Sequence, residues 1–496
     1  MAEIFHNIGI LAHVDSGKTT LTEQLLYLTG AIRNAGTVDS GTAATDSLSV
    51  EKQRGISVRT ATASTSWQGV TINIIDTPGH IDFAGEVERA LTALDYAVVI
   101  ISAVEGVRAH TENILKSLDA ANIPRIIFIN KADRAGADVK KITEELKSIS
   151  ASAIITLNNI ENEGCEACRV CDTDEKAFCL YATEVLADIS DEAAEAFLED
   201  RTLSKEKADE IIKSEIAACT LTPVAYGSAK YSVGIKELAD ILVKYMPDSK
   251  MRATEDLSGI IFKIEHDKAL GKISHIRLFG GEIANRDEIE LIAPEKGHIK
   301  VTDAVETEDT KTIKEKVSQI KKFCGAKSTD VGIVKSGDVA AVCGLPSAKN
   351  GFYIGKPLKT AEPMLVNPFL RVKVTPADSD PLKIPQLAQA LSELSDEEPY
   401  MDAKWENGQK EITISTTGKI QLEVLSTLLK ERYNLEAQFS PPTVIYKETP
   451  TTAGIGHASY TMPKPCWAVL KFLIEPLPRG SGVEYSSIVE NNKIFY

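Results

Sequence analysis

Over the first half of the chain, short apolar runs are separated by stretches of helical spacing. Ile8 to Leu11, Val70 to Ile75, Asp95 to Ala103, Pro124 to Ile129 and Leu221 to Tyr226 each read as an apolar strand. After the first run, Leu21, Leu25 and Leu28 recur at helical spacing until Gly30 offers a stop. The pattern predicts a parallel sheet with flanking helices, with its ligand crevice at the C-terminal ends of the strands.

From about Leu257 the texture changes. Ile260 to Ile264, Ile273 to Leu278 and Glu288 to Ile292 are short alternating segments separated by Gly, Asn and Asp, the pattern of a closed all-β unit running to about Pro357. Leu365 to Thr375 then reads as a strand, Ile384 to Leu394 as a helix and Ala403 to Ser415 as a hairpin. Gly418 to Tyr433 is a second helix, with Leu422, Val424, Leu425 and Leu428 inward. This β-α-β-β-α-β order predicts a ferredoxin-like domain ending near Val444, with no catalytic residue and the role of an interdomain relay. Past Tyr446 the chain keeps strand character without a closing element, as the opening part of a fourth domain would. The expected boundaries are 1–250, with a subdomain inserted at about 150–220, then 256–358, 363–445 and 446–496.

A length of 496 residues agrees with several domains, and 43% hydrophobic with 25% charged residues is ordinary for a globular protein. The longest apolar runs, such as Tyr96 to Val104, are far shorter than a membrane span, and Met1-Ala2-Glu3 opens no signal pattern. A cytoplasmic protein is expected. The net charge of −16 argues against nucleic acid as a partner, but charge is unevenly spread. Thirteen acidic residues face four basic ones between Cys171 and Glu210, whereas Lys311, Lys314, Lys316, Lys321, Lys322 and Lys327 form a basic run. That run is either a solvated face or an RNA contact. The eight cysteines read as reduced thiols. Cys165, Cys168 and Cys171, with Cys179 further on, have spacing that lets thiolates converge on zinc or an iron–sulfur cluster. The unusual interval to Cys179 and the crowding acids favour surface or redox-sensitive thiols instead.

The chemistry begins at Ala12 to Thr20, A-H-V-D-S-G-K-T-T, between a strand and a helix. Such a turn aims backbone N–H groups and the helix dipole at one point, which suits a phosphate chain. His13, Val14, Asp15, Ser16, Gly17, Lys18, Thr19 and Thr20 are therefore candidate nucleotide contacts. Gly17 permits close approach, Lys18 reaches the β- and γ-phosphates, and the Thr19 hydroxyl holds Mg²⁺. Asn34 to Ser57 is polar and Gly/Thr-rich, a candidate switch ordered by the γ-phosphate, with the Ser57 hydroxyl completing the Mg²⁺ ligands. Asp76-Thr77-Pro78-Gly79-His80 follows a strand: Asp76 is placed to hold Mg²⁺ through water, the Gly79 N–H to bond the γ-phosphate, and His80 to orient the attacking water. Asn130-Lys131-Ala132-Asp133 reads the base. The Asp133 carboxylate accepts from guanine N1–H and N2–H₂, which adenine lacks, Asn130 fixes the loop and reaches the base edge, and the Lys131 stem covers its face. Ser228-Ala229-Lys230 offers backbone N–H groups to the guanine carbonyl.

Together A-H-V-D-S-G-K-T-T, R-G-I-S, D-T-P-G-H, N-K-A-D and G-S-A-K resemble the G domain of a translational GTPase, and the resemblance extends over nearly the whole chain. It implies a multidomain α/β protein: a P-loop GTPase domain, a β-barrel, a ferredoxin-like domain and the start of a truncated fourth. It implies that His80 is catalytic, assisted by Asp15 and Lys18, that Val14 and Ile56 form an apolar gate, and that GTP, GDP, Mg²⁺ and a monovalent cation near Asp15 are bound. Ser57 stands where the family usually carries Thr, which keeps the metal-binding hydroxyl. In this family the barrel touches small-subunit ribosomal RNA, which favours the RNA reading of the lysines. The implied partners are ribosomal RNA and ribosomal proteins, for a monomer that needs no membrane. The small inserted subdomain, P-P-T-V-I-Y-K-E-T-P at Pro441 to Pro450 and the Pro463-Lys464-Pro465-Cys466-Trp467 segment resemble the tetracycline ribosomal protection proteins. These imply a ribosome-dependent GTPase that releases tetracycline, with Pro463, Pro465, Pro476 and Pro478 stiffening loops or simply forming turns. An elongation factor G-like translocase and a GTP-switched ribosome-binding module without fast turnover are the alternatives.

Overall fold

The computed structural model of this chain describes residues 4–37, 43, 50–51, 56–171, 174–247, 256–267, 269–294, 299–301, 312–324, 327–358, 370–378, 380–406, 411–444, 449–460, 468–478 and 483–485. Residues 38–42, 44–49 and 52–55 of the expected switch, Lys311, residues 445–448 of the Pro441 to Pro450 stretch and the Pro463 to Trp467 segment lie outside the described residues.

The first unit is a seven-stranded sheet. In chain order its strands are β1 (Phe5–Ala12), β2 (Ala61–Trp67), β3 (Val70–Asp76), β4 (Tyr96–Ser102), β5 (Arg125–Asn130), β6 (Ala153–Thr156) and, after a short hairpin, β7 (Leu221–Tyr226). They lie side by side as β2-β3-β1-β4-β5-β7-β6, parallel except for the β2 edge. Every residue of β1, β4, β5 and β7 is buried, as a sheet covered on both faces requires. Alternate side chains feed two cores. Ile8, Ile10, Tyr96, Val98 and Ile100 enter one, and Leu11, Ala97, Val99 and Ile101 the other. The segment expected as an inserted subdomain adds β6 to the sheet edge, and its helices Glu175–Leu186, Asp191–Leu198 and Lys205–Ala217 send Ala182, Leu186, Ala193 and Ile212 into the first core.

Strand β4 begins one residue later than the apolar run. Asp95 stays outside it because its carboxylate accepts from the Asn7 backbone N–H at 3.0 Å and pairs with Arg277 Nη2 at 2.8 Å. Arg277 belongs to the second, all-β unit, whose strands Ser258–Asp267, Gly271–Gly280, Glu288–Ile292, Gln319–Cys324, Val339–Cys343 and Tyr353–Gly355 surround one core that includes Ile261, Ile276, Leu278, Leu291, Val342 and Ile354. A bridge between Cys324 and Ala63 carries the sheet from this unit into β2.

The third unit lays Lys404–Glu406, Glu411–Thr416, Leu370–Pro376 and Ala437–Phe439 side by side, with helices Ile384–Glu397 and Lys419–Tyr433. This is the β-α-β-β-α-β order. Its core takes Val372, Val374, Ile412 and Ile414 from the strands and Leu387, Leu391, Leu425 and Leu429 from the helices. Val50 of the expected switch, Val58 just after it and Phe83 enter the same core, so this side of the first unit packs on the third. A hairpin of Gly454–Tyr460 and Ala468–Ile474 follows. Among the described residues, no helix is long and apolar enough to cross a membrane.

Candidate functional site

The C-terminal ends of β1, β3, β4, β5 and β7 open on one cleft of about 730 Å³, within the size range of small-molecule sites. Of the residues singled out from the sequence, His13, Val14, Asp15, Gly17, Lys18, Thr19, Thr20, Ile56, Ser57, Gly79, His80, Asn130, Lys131, Asp133, Ala229 and Lys230 line it. Ser16, Asp76 and Ser228 stand behind this lining and hold it through hydrogen bonds.

Helix α1 (Lys18–Leu28) starts at the cleft with Gly17 as its cap. Its first N–H groups lack carbonyl partners one turn back and point at the cleft. Gly17 has φ +92°, and a β-carbon there would lie 2.3 Å from Asn130 Nδ2, so both backbone conformation and space require glycine. Asp15 also has a left-handed backbone, φ 61°, and is exposed to the cleft.

The Lys18 ammonium is buried between Asp76 Oδ1 at 2.6 Å and Ser57 Oγ at 3.1 Å, and Thr19 Oγ1 lies 3.3 Å from Ser57 Oγ. Burial pushes the Asp76 carboxyl up from its ordinary value, against the pull of Lys18. One carboxylate and two hydroxyls thus converge where the structure already places a cationic group. This hard, all-oxygen donor set fits Mg²⁺.

Gly79 packs on the phosphate loop, since a β-carbon would come 3.1 Å from Ala12 O. His80 Nδ1 accepts the Asp82 backbone N–H at 3.1 Å, capping the short helix Ile81–Phe83. His110 comes near: its ring centroid is 6.4 Å from that of His13. Burial, then the His13 and His80 charges, lower its affinity for a proton.

At the opposite end of the cleft, Asn130 braces two loops. Its Nδ2 donates to Ser16 O at 2.8 Å and its Oδ1 accepts the Ala229 N–H at 2.8 Å. Asn130 was expected to fix the loop and reach the base edge; these are loop contacts, and one of them engages the Ala229 N–H that was expected to face a guanine carbonyl. The Ser228 N–H is likewise donated to Val233 O at 2.9 Å. Asp133 Oδ1 accepts from Ser228 Oγ at 2.6 Å, which fixes the carboxylate's direction.

Ala35, Gly36 and Thr37 of the expected switch also line the cleft, as do Gln24, Glu105 and Arg134, which were not singled out from the sequence. Glu105 pairs with Lys131 Nζ at 3.4 Å. Its place just beyond the end of β4 was the available signal. Cys165, Cys168, Cys171 and Cys179 do not assemble a metal centre. Cys165 is exposed, Cys168 and Cys179 are buried, and among the described residues no group of three His, Cys, Asp or Glu is disposed to hold a metal ion. Burial, with Asp133 and Cys165 nearby, pushes the Cys168 thiol up, away from thiolate.

Below the cleft the three units meet at Glu397. Its Oε1 accepts from the His266 N–H at 3.0 Å and from Arg432 Nη1 at 2.7 Å, while its Oε2 pairs with Arg59. Arg59 follows Ser57 by two residues, so the cleft's metal-side hydroxyl is tethered to both neighbouring units. Burial alone would raise the Glu397 carboxyl, but Arg59, His266 and Arg432 bring it down to about 2.

Comparison with known proteins gives the same picture from another side. Residues 3–248 match the family described as the elongation factor Tu GTP binding domain, and residues 366–441 match elongation factor G, domain III. The tetracycline resistance protein TetP of Clostridium perfringens is 36% identical over 97% of this chain and 72% of its own length. TetM of Ureaplasma urealyticum is 34% identical with the same coverage, as is TetO of Streptococcus pneumoniae. A crystal structure from Thermus thermophilus superposes with a TM-score of 0.75 at 23% identity, over 95% of this chain and 72% of that one, and shares its fold.

Proposed function

The chain belongs to the translational GTPases of the elongation factor Tu and G class, grouped with the tetracycline resistance proteins, and on that premise we propose that it docks on the ribosome and couples GTP hydrolysis to release of tetracycline. It is a GTPase. The observation that carries the reading is the sharing of one cleft by Lys18, His80 and Asp133, with Asp133 aimed by Ser228.

Guanine is recognised by Asp133, whose carboxylate pairs with the N1–H and N2–H₂ edge while the Lys131 stem covers the ring. Lys131 has φ 65°, a strained backbone for a non-glycine residue, held by its pairing with Glu105. The phosphates lie on the N-terminus of α1, with Lys18 turning from Asp76 to the β- and γ-oxygens. Thr19, Ser57 and Asp76 would hold Mg²⁺. When bound, the ion neutralises charge on the β- and γ-phosphates. Asp15, in its left-handed turn, is suited to a monovalent cation beside the phosphates.

His80 directs a water at the γ-phosphorus. The water oxygen bonds to phosphorus as the bond to the bridging oxygen breaks. GDP leaves, and the water's proton ends on inorganic phosphate. Val14 and Ile56 line the cleft as apolar residues that shield this water until the ribosome moves them. The exposed lysines of the basic run, Lys314 and Lys316, meet ribosomal RNA, whereas Lys322 turns inward onto Asp338 at 2.8 Å, and the protein acts as a cytoplasmic monomer.

The test is release of labelled tetracycline from ribosomes by this protein. With GTP, the drug should dissociate faster than from ribosomes alone. Drug retention together with ribosome-stimulated hydrolysis would assign the protein to translocation instead, and binding without stimulated turnover would make it a switched binding module.

A further inference from the structure

His80 is set by its neighbour. Because Nδ1 accepts the Asp82 N–H, it carries no proton, and neutral His80 has its proton on Nε2. The ring therefore presents an N–H donor to the cleft. Asp82, in turn, is held from the third unit. The Thr417 hydroxyl donates to Asp82 O at 2.6 Å, with Gln421 Oε1 as an alternative acceptor at 3.1 Å. Gly418 lies against the Asp82 side chain, where a β-carbon would come 2.2 Å from Oδ2. The loop bearing both is pinned, since Gln421 Oε1 also accepts the Thr417 N–H at 3.0 Å and the Thr416 hydroxyl at 2.9 Å.

We propose that Thr417 is a positioning residue for GTP hydrolysis, anchoring Asp82 through its carbonyl so that its N–H, on the other side of the same α-carbon, stays on Nδ1 and fixes the orientation and tautomer of His80. The inference rests on the assignment of His80 to the hydrolytic step. Its consequence is that hydrolysis reads the position of the third unit. Turning that unit away from the cleft breaks the Thr417 bond, frees the Asp82 peptide and lets the imidazole rotate. Thr417 is not among the residues that line the cleft, so it acts on rate and leaves nucleotide affinity alone.

The experiment measures single-turnover GTP hydrolysis on ribosomes, and GTP affinity, for the full chain and for Thr417→Val, Thr417→Ser, His80→Ala and the Thr417→Val/His80→Ala double variant. Thr417→Val should slow hydrolysis about tenfold, the worth of one hydrogen bond, with affinity unchanged. Thr417→Ser, which keeps the hydroxyl, should restore the rate. In the His80→Ala background the valine should cost nothing further. If the valine variant does not fold, Gly418→Ala, which displaces the Asp82 carboxylate by a different contact, carries the same expectation. A wild-type rate for the folded variant, or an undiminished loss on top of His80→Ala, overturns the proposal. Full activity of His80→Ala alone would instead overturn the underlying assignment of His80, and this proposal with it.

Discussion

Lys18 Nζ lies 2.6 Å from Asp76 Oδ1, with both side chains less than one-tenth exposed. A buried ammonium needs that partner, and on the proposed reading nucleotide binding separates the two, Lys18 going to the phosphates and Asp76 to the metal. Asp76→Asn should therefore lower the apparent Mg²⁺ affinity of the GTP complex about 10–100-fold, the usual cost of an outer ligand. Titration of GTP binding against Mg²⁺ checks this, and an unchanged Mg²⁺ requirement would remove Asp76 from the site.

Asp133 is aimed by the Ser228 hydroxyl at 2.6 Å. Asparagine offers an N–H₂ where xanthine carries a carbonyl, so Asp133→Asn should weaken GTP and favour xanthosine triphosphate. Competition binding with the two nucleotides measures the exchange. Retained guanine preference would refute the base-reading role.

Glu397 ties Arg59, His266 and Arg432 together with a carboxyl lowered to about 2 from an ordinary 4.5. A depressed carboxyl pKa stabilises the fold above the unfolded value, and that stabilisation is lost as pH falls through 4.5 toward 2. The full effect is on the order of 3 kcal/mol. Thermal melts should show the wild type losing its advantage over Glu397→Gln between about pH 5 and about pH 2. Parallel curves across that window would contradict the assignment.

Arg277 is fully buried, with Nη2 2.8 Å from Asp95 Oδ1, between the first and second units. Arg277→Ala leaves Asp95 as an unpaired buried carboxylate, and such a loss costs about 3–5 kcal/mol. A marked fall in the denaturant midpoint is expected, and an unchanged midpoint would show that the pair contributes nothing to docking.

The strands that carry the site were legible because they are flat apolar runs ending in residues of distinctive chemistry: Asp76, Asn130 and Tyr226 each close a buried strand. Polar burial was not legible. The helix over Ile384–Glu397 runs beyond Leu394, the last apolar residue of the pattern, because Glu397 is buried by ion pairs from three segments distant in sequence. Asp95 lies outside its strand for a similar reason, a partner 182 residues away. Asn130 was expected to fix the loop and reach the base edge, but the groups it bridges, Ser16 O and the Ala229 N–H, have no signature in the residue pattern. The thiol run favours surface or redox-sensitive thiols over a ligand set, but spacing hides depth: Cys165 is exposed, whereas Cys168 is buried, and Cys179 is buried in a helix that joins the first core's packing.

The central claim is that His80 drives GTP hydrolysis from a cleft assembled at the strand ends, and single-turnover hydrolysis by His80→Ala on ribosomes tests it directly. The variant should bind GTP nearly as tightly as the wild type and hydrolyse it about a hundredfold or more slowly. Hydrolysis at the wild-type rate with GTP bound would contradict the account.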